Sequence, residues 1–304
     1  MERVLVTGAA GFLGWNLVEY LLSHDFFVEA VVRPNSPSNV RLLPHPHLRI
    51  MPLAMEDIVH LSEYVIEPCD YAVHLAWDAR RMDFAAQRAS LTATLDLVEV
   101  LGAVGCRRFL GIGSQAEYGM TNEVMEETSS LQPVTPYGAT KAAALHMTRQ
   151  CAAQLGMDWV WGRVFSVYGM YEPESTLLSY LARTLRSGET PQMTAGTQLW
   201  DYLHASDAAA AMAALLLRGR NGEVYNIAHG DVRPLRSFSE EMRDILAPTA
   251  QIAYGTSERP PTSMRPSVEK IQTHTGWQAC IGFAEGLRRT YLEQKRFCVE
   301  QNVV

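Results

Sequence analysis

A surplus of basic residues is missing from this 304-residue chain: 26 Lys and Arg stand against 33 Asp and Glu, a formal net charge of −7. Nothing is left over to neutralise a run of phosphates, which excludes a general nucleic-acid binder. Long apolar runs are also missing. None reaches membrane-spanning length, so no membrane partner is expected. Cysteine is scarce, with five residues at 69, 106, 151, 280 and 298 and no Cys-x-x-Cys spacing. An odd, scattered set of this kind argues against a disulfide framework and fits the reduced thiols of a cytoplasmic protein. Strand-forming residues begin at Arg3, so no signal peptide is expected. Metal-ligand clusters are lacking as well. His45-Pro46-His47 stands in a proline-rich stretch without nearby Cys or acidic partners and reads as an exposed turn, so no metal is expected. His74 reads as packed core, Cys69 and Cys106 as inert thiols, and the acidic run at 122–129 as a solvated loop.

What is present is an ordinary globular composition, 47% apolar and 19% charged, in a chain long enough to bury a large core. Apolar strands alternate with helical segments through the first half. Strands are expected at 4–6, 28–32, 49–53, 71–76, 108–113 and 158–164. Helices are expected at 12–22, 57–66, 84–104 and 137–155. Leu13, Leu17 and Leu21 give the first helix its i, i+4, i+8 stripe. Beyond about 165 the alternation loosens, with helical runs at 175–187, 206–218, 236–247 and 283–295 and a proline-rich loop at 257–267. Alternation of this kind predicts an α/β fold: a doubly wound, Rossmann-like parallel sheet with a smaller C-terminal substrate-binding region. The expected division is 1–165 for dinucleotide binding, with a returning segment near 197–228, and 166–304 mainly for substrate.

The chemistry begins at "LVTGAAGFLGWNLVEYLL", where Gly8, Gly11 and Gly14 join the first strand to the first helix. Glycine lets backbone approach a pyrophosphate, and the helix N-terminus offers unpaired N–H groups to it. The spacing is Gly-x-x-Gly-x-x-Gly, and its position between strand and helix predicts a dinucleotide site that includes Phe12 and Leu13. A NAD site ordinarily has an acid at the end of the second strand. Here that strand ends at Val32 and is followed by Arg33. A guanidinium pairs with a 2′-phosphate, so the expectation is NADP(H), with NAD(H) as the alternative if Arg33 is only a solvated loop charge.

In "TPYGATKAAALH", Tyr137 and Lys141 stand at i and i+4 and share a helix face. A close ammonium is expected to lower the phenol from its usual value near 10 and make it a general acid/base for a carbonyl/alcohol interconversion. Ser114 ends the strand in "FLGIGSQAEYG", at the carboxyl edge that faces ligand in a parallel sheet. Its hydroxyl is placed to bond a substrate oxygen. Taken singly, each pattern also suits a surface helix or a turn.

Together with "DYAVHLAW", "GSQAEYG", "PYGATK", "GRVFSVYG", "WDYLHASDAA" and "TGWQACIGFAEGL", these stretches resemble the extended short-chain dehydrogenase/reductase family, the group of nucleotide-sugar epimerases, dehydratases and ketoreductases. The resemblance implies Ser114, Tyr137 and Lys141 as the catalytic set, with Tyr137 and Lys141 also meeting the cofactor. It implies Leu75 and Ala76 beside the cofactor, and a C-terminal region that holds a nucleotide diphosphate sugar. Trp77, Gln115, Ser166, Trp200 and Arg259 are the expected substrate residues, Arg259 at the diphosphate.

The departures narrow the reaction. Sugar 4,6-dehydratases of the family carry Asp-Glu just after the serine position; Gln115 and Ala116 stand here, which argues against dehydration. The usual Asp near the adenine falls at or close to Ala54. Ser166 replaces a frequent Asn, and Trp200 a frequent Arg. The leading expectation is NADPH-dependent reduction of a 4-keto nucleotide sugar, with a nucleotide-sugar 4-epimerase as the alternative and a catalytically idle dinucleotide sensor as a third reading. A homodimer through the helices near 84–104 and 137–155 is also expected, from their Ala- and Leu-rich faces.

Overall fold

Val4, Leu5 and Val6 are all fully buried, yet they point alternately to opposite sides of one strand. A strand apolar on both sides has to be covered on both sides. The computed structural model, which describes residues 1–65, 67–255 and 262–293, shows this arrangement. Strands β1 (Arg3–Thr7), β2 (Phe27–Val32), β3 (Leu48–Pro52), β4 (Tyr71–His74), β5 (Arg108–Ser114) and β6 (Asp158–Val164) form one parallel sheet, joined at its edge by the strand Glu223–Ile227. From the Glu223–Ile227 edge the order is that strand, β6, β5, β4, β1, β2, β3. The chain leaves β1 toward one edge and, from β4 onward, builds toward the other. The carboxyl ends of β1 and β4 therefore flank the switch point where ligands bind in open α/β sheets.

Helix α1 (Phe12–Leu22) and the alanine-rich α5 (Ala205–Arg218) cover one face with Val4, Val6, Leu17, Leu21, Met212 and Leu216 in the core. Helices α2 (Phe84–Ala103) and α3 (Pro136–Gln154) cover the other with Leu5, Leu97, Val98, Phe109, Ala144 and Trp161. Both have side-chain caps: Ala86 N–H donates to Asp83 at 3.1 Å and Gly138 N–H to Thr135 at 3.1 Å. Thr135 and Pro136 thus define the turn that carries Tyr137. A third cluster, with Tyr168, Leu181, Phe238, Met242 and Phe283, holds together α4 (Leu177–Arg186), α6 (Leu235–Leu246) and α8 (Phe283–Leu287) after α7 (Glu269–Thr275).

Among the differences from the sequence expectation are the edge strand Glu223–Ile227, where no strand was expected, and three helical segments. The segment expected as a helix at 57–66 is a 3₁₀ helix, Met55–Glu63. Its two buried residues, Ile58 and Leu61, are three apart, a spacing that a 3₁₀ turn places on one face. The run at 283–295 is α8 followed by a π-helical turn, Arg288–Glu293. Helix α7 has no counterpart among the expected helices. It is two turns long, buries only Ile271 and Thr275, and stops at Gly276 with φ 70°. Among the described residues no helix is long and apolar enough to cross a membrane.

Candidate active site

The glycine turn has steric reasons at each position. Gly8 has φ 68°, and a Cβ there would lie 2.8 Å from the Ala76 nitrogen. A Cβ on Gly14 would lie 2.1 Å from the Gly8 carbonyl oxygen, so this glycine lets α1 start against β1. Gly11 caps α1 with no side-chain hydrogen bond, which leaves helix N–H groups open at the mouth of the turn. Phe12 and Leu13 form the first helical positions, Leu13 packing on the core below. A cleft of about 480 Å³ runs from this turn along the sheet's carboxyl edge. Gly8 and Gly11 line it at one point, Arg33 and Asn39 at another, Leu53 and Met55 at a third, and Leu75, Ala76 and Trp77 on the β4 side. Thr7 holds that side in place: its hydroxyl accepts the N–H groups of Leu75 and Ala76 at 3.2 and 3.3 Å. The bare glycine floor, the helix N–H groups and the length of the cleft fit a dinucleotide.

Trp77, expected among the substrate residues, lines this cleft. Its indole N–H donates to Gln87 at 2.7 Å, and its ring sits under the Lys141 ammonium, 3.7 Å from Nζ to the ring centre. Arg33 is exposed at the rim near Ser36, Ser38 and Asn39, and its charge reaches Asp78.

Ser114, Tyr137 and Lys141 come together where β5 ends and α3 begins. A Cβ on Gly138 would lie 2.4 Å from the Ala116 carbonyl oxygen, so glycine there lets α3 close on the turn after β5. The Ser114 hydroxyl stands close enough to the Tyr137 phenol to favour its ionised form. Burial pushes the phenol above its ordinary value. The Arg81 guanidinium and the Ser114 hydroxyl pull part of the way back, and the Glu117 carboxylate adds to the rise. Arg81 lies over the Tyr137 ring at 4.9 Å, and its carbonyl accepts the Tyr137 N–H at 3.2 Å. The expected lowering of the phenol by Lys141 is therefore not what the geometry shows. The lysine runs inward instead, 3% exposed, and Nζ donates to the Ile112 carbonyl at 2.6 Å. Burial pulls this ammonium down to about 7, Glu117 opposes the fall, and Arg81 adds to it.

Sequence reading missed what lies beneath. Glu117 is fully buried and turned back on its own strand. Its Oε1 accepts the Ser114 main-chain N–H at 2.9 Å and the Trp161 indole N–H at 3.1 Å, and its Oε2 accepts Arg163 Nε at 2.7 Å. Arg163 continues to the Tyr118 hydroxyl at 2.8 Å, and Tyr118 to Asn226 at 2.7 Å. The glycines of β5 belong to this network. A Cβ on Gly111 would strike the Trp161 ring at 2.3 Å; on Gly113 it would meet Trp161 Nε1 at 2.1 Å and Glu117 Oε1 at 2.2 Å. Glycine inside a strand was the available signal, since it marks a close approach.

A second cleft of about 270 Å³ lies beyond Ser114, lined by Gln115, Ala116, Thr135, Trp200 and Met264 among others. Trp200 packs against Met264, and its buried indole nitrogen has no partner among the described residues. Ser166 is bonded to the same methionine, Oγ to Sδ at 3.5 Å. Gln115, Ser166 and Trp200 thus gather around Met264. Arg259 lies outside the described residues.

The remaining candidates have other places. His45 is exposed and His47 half-buried, and His45 Nδ1 accepts the His47 N–H at 3.1 Å. His74 is buried between Thr7 and Thr94, at 2.8 and 2.9 Å, and burial pulls its imidazole down to about 3. No group of three or more His, Cys, Asp or Glu suited to a metal occurs among the described residues.

The model of the NAD dependent epimerase/dehydratase family matches residues 4–228. The dTDP-glucose 4,6-dehydratase of Streptomyces niveus is 29% identical over 306 residues, covering 95% of this chain and 91% of that protein. Among solved structures, MoeE5 in complex with UDP-glucuronic acid and NAD superposes with a TM-score of 0.82 at 29% identity, covering 97% of this chain and 99% of that one. The UDP-N-acetylglucosamine 4-epimerase of Methanobrevibacter ruminantium M1 superposes with a TM-score of 0.86 over 99% of both chains; at 22% identity it shows the shared fold.

Proposed function

This chain belongs to the NAD dependent epimerase/dehydratase family, and on that premise we propose that it is a nucleotide-sugar 4-epimerase. One observation carries the reading: a serine, a tyrosine and a lysine come together where β5 ends and α3 begins, the lysine against Trp77 in the wall of a dinucleotide-shaped cleft, while Gln115 and Ala116 occupy the two positions after the serine, where no carboxyl group stands to expel a C6 hydroxyl. The dehydratase relatives make the scaffold familiar; the residues at 115 and 116 argue against their reaction. Epimerisation is favoured over one-way reduction of a 4-keto sugar by the likeness to MoeE5, whose complexes hold UDP-glucuronic acid or UDP-glucose, sugars without a 4-keto group, together with NAD.

In this account Tyr137 removes the proton of the C4 hydroxyl and later returns it, while Ser114 bonds the same oxygen and holds it in line. Nicotinamide, when bound, supplies a hydride acceptor that is also the donor for the return. Lys141 has two further N–H donors beyond the one given to Ile112, enough for a ribose hydroxyl. Gln115 and Trp200 line the sugar side, and Trp200 offers an unpaired indole N–H.

For the cofactor we propose NADP(H) in preference to NAD(H). The support is local: no carboxylate follows Val32, and Arg33 stands at the rim with Ser36, Ser38 and Asn39, a donor set suited to a 2′-phosphate. The solved relatives bind NAD, so the two must be titrated side by side. A homodimer through α2 and α3 is part of the same proposal. These helices lie side by side, and α3 exposes Met147.

The test is a thermal-shift panel of both cofactors crossed with UDP-, dTDP-, GDP- and CDP-sugars, since a ligand that binds only the folded chain raises Tm. It is followed by NMR analysis of the sugar after incubation. A C4 epimer without net cofactor turnover supports the reading. A 6-deoxy-4-keto product, or stoichiometric cofactor consumption, overturns it.

A further inference from the structure

We propose that Glu117, locked by Arg163, is a positioning residue for the reaction centre: it fixes Ser114 through the main-chain N–H and supplies a carboxylate charge beneath the Tyr137–Lys141 pair. This rests on the roles of Ser114, Tyr137 and Lys141 proposed above. A carboxylate 0% exposed beside a guanidinium 3% exposed is costly to assemble, and apolar residues of similar volume commonly serve stability as well or better. The chain nevertheless arranges other residues around the pair. Gly113 gives up its side chain to the space that Glu117 Oε1 and Trp161 Nε1 fill, and Gly111 yields to the Trp161 ring. Every acceptor direction of the carboxylate that the structure uses points at a fixed donor: Ser114 N–H, Trp161 Nε1 and Arg163 Nε. Arg163 is itself held by the Tyr118 hydroxyl and the Glu127 carbonyl.

The effect on the site is direct. The Ser114 N–H is held by Glu117 while the Ser114 hydroxyl accepts the Ala116 N–H at 3.2 Å, a reciprocal cap that leaves the serine little freedom to turn from Tyr137. The charged and titratable groups around the phenol come from every neighbouring element. Arg81 stands over it from the segment after β4, Lys141 on its own helix α3, Glu117 after β5, and Arg163 on β6, with His74 on β4 behind the lysine. Of these, Glu117 is the acid that acts on both Tyr137 and Lys141, disfavouring the phenolate and favouring the ammonium.

Two variants test this. Glu117→Gln removes the charge and keeps the shape. The double exchange Glu117→Leu with Arg163→Met removes the pair without stranding an ion, and keeps the test alive should the single variant fail to fold. Folding is read from Tm and cofactor binding. The Tyr137 phenol is read as the near-ultraviolet absorbance titration difference between each background and its Tyr137→Phe counterpart, a measurement that needs no turnover. In Glu117→Gln the phenol midpoint is expected to fall by about one pH unit. The acidic limb of the kcat profile should follow it, kcat should drop by about tenfold or more, and KM for the sugar should stay within about twofold. In the folded double variant kcat falls with the same KM. A folded Glu117→Gln chain with an unchanged phenol titration and an unchanged kcat profile overturns the proposal, as does a double variant as active as the parent. If the parent chain turns over no nucleotide sugar, the epimerase reading fails while the phenol titration still decides the role of Glu117.

Discussion

The ammonium of Lys141 donates to the main-chain carbonyl of Ile112 at 2.6 Å. This bond carries the lysine under the sheet edge, against the Trp77 ring, and leaves Arg81 as the cation over Tyr137. The lysine then has a role in stability as well as in binding.

Burial holds the Lys141 ammonium down at about 7, whereas an unfolded lysine titrates near 10.4. Between those values the unfolded chain binds more protons than the folded one, so this residue's contribution makes stability rise with pH through that window. Below about 7 both states are protonated and the folded state bears the full penalty of a buried charge. Lys141→Met is expected to raise Tm at neutral pH and to flatten the rise above it; chemical denaturation at several pH values checks both.

Tyr137→Phe leaves the ring packed on Trp77, 6.5 Å between centroids, and removes only the hydroxyl. The expected outcome is a loss of kcat of about 10²–10⁴-fold with cofactor and sugar affinity retained. Steady-state kinetics beside calorimetric binding measures the two separately.

Arg33→Ala should weaken NADP(H) by about 10- to 100-fold, the worth of a charge-assisted contact to a phosphate, and leave NAD(H) nearly unchanged. Equal losses for both cofactors, or none for either, would show that Arg33 does not read the 2′-phosphate. Fluorescence titration of the reduced cofactors gives the ratio.

Gly113→Ala puts a methyl group where Trp161 Nε1 and Glu117 Oε1 already are, 2.1 and 2.2 Å away. Neither neighbour is free to move, because each is bonded to the other. A destabilisation of about 1–3 kcal/mol or more is expected from overpacking of this kind, read as a lowered denaturation midpoint. The same substitution at Gly188, where nothing lies within 4 Å but φ is 77°, tests backbone strain without the clash.

The parts of this molecule that sequence reading reached are those whose signal is local. Strands β1, β2, β4, β5 and β6 carry buried apolar residues on both faces and are short, α1 shows its leucine stripe, and Gly8, Gly11 and Gly14 stand where a strand meets a helix. Ser114, Tyr137 and Lys141 were legible as a set because two of them share one helix and the third ends a strand. What escaped depends on partners far along the chain. Nothing in "GSQAEYG" marks Glu117 until Arg163, 46 positions later, is folded against it. The glycines of β5 announce a close approach but not that Trp161 makes it. The Met55–Glu63 segment carries helical periodicity, and only packing of Ile58 and Leu61 decides that it winds as 3₁₀.

The central claim is that hydride leaves C4 of a nucleotide sugar and returns to the same carbon from the opposite face, with Tyr137 handling the hydroxyl proton. A sugar nucleotide deuterated at C4, incubated with the chain and a catalytic amount of cofactor, tests it most directly. The account predicts a C4 epimer that keeps its deuterium at C4, and no such product from Tyr137→Phe. Deuterium accumulating in free cofactor, or moved to C6 of a deoxy sugar, would contradict it.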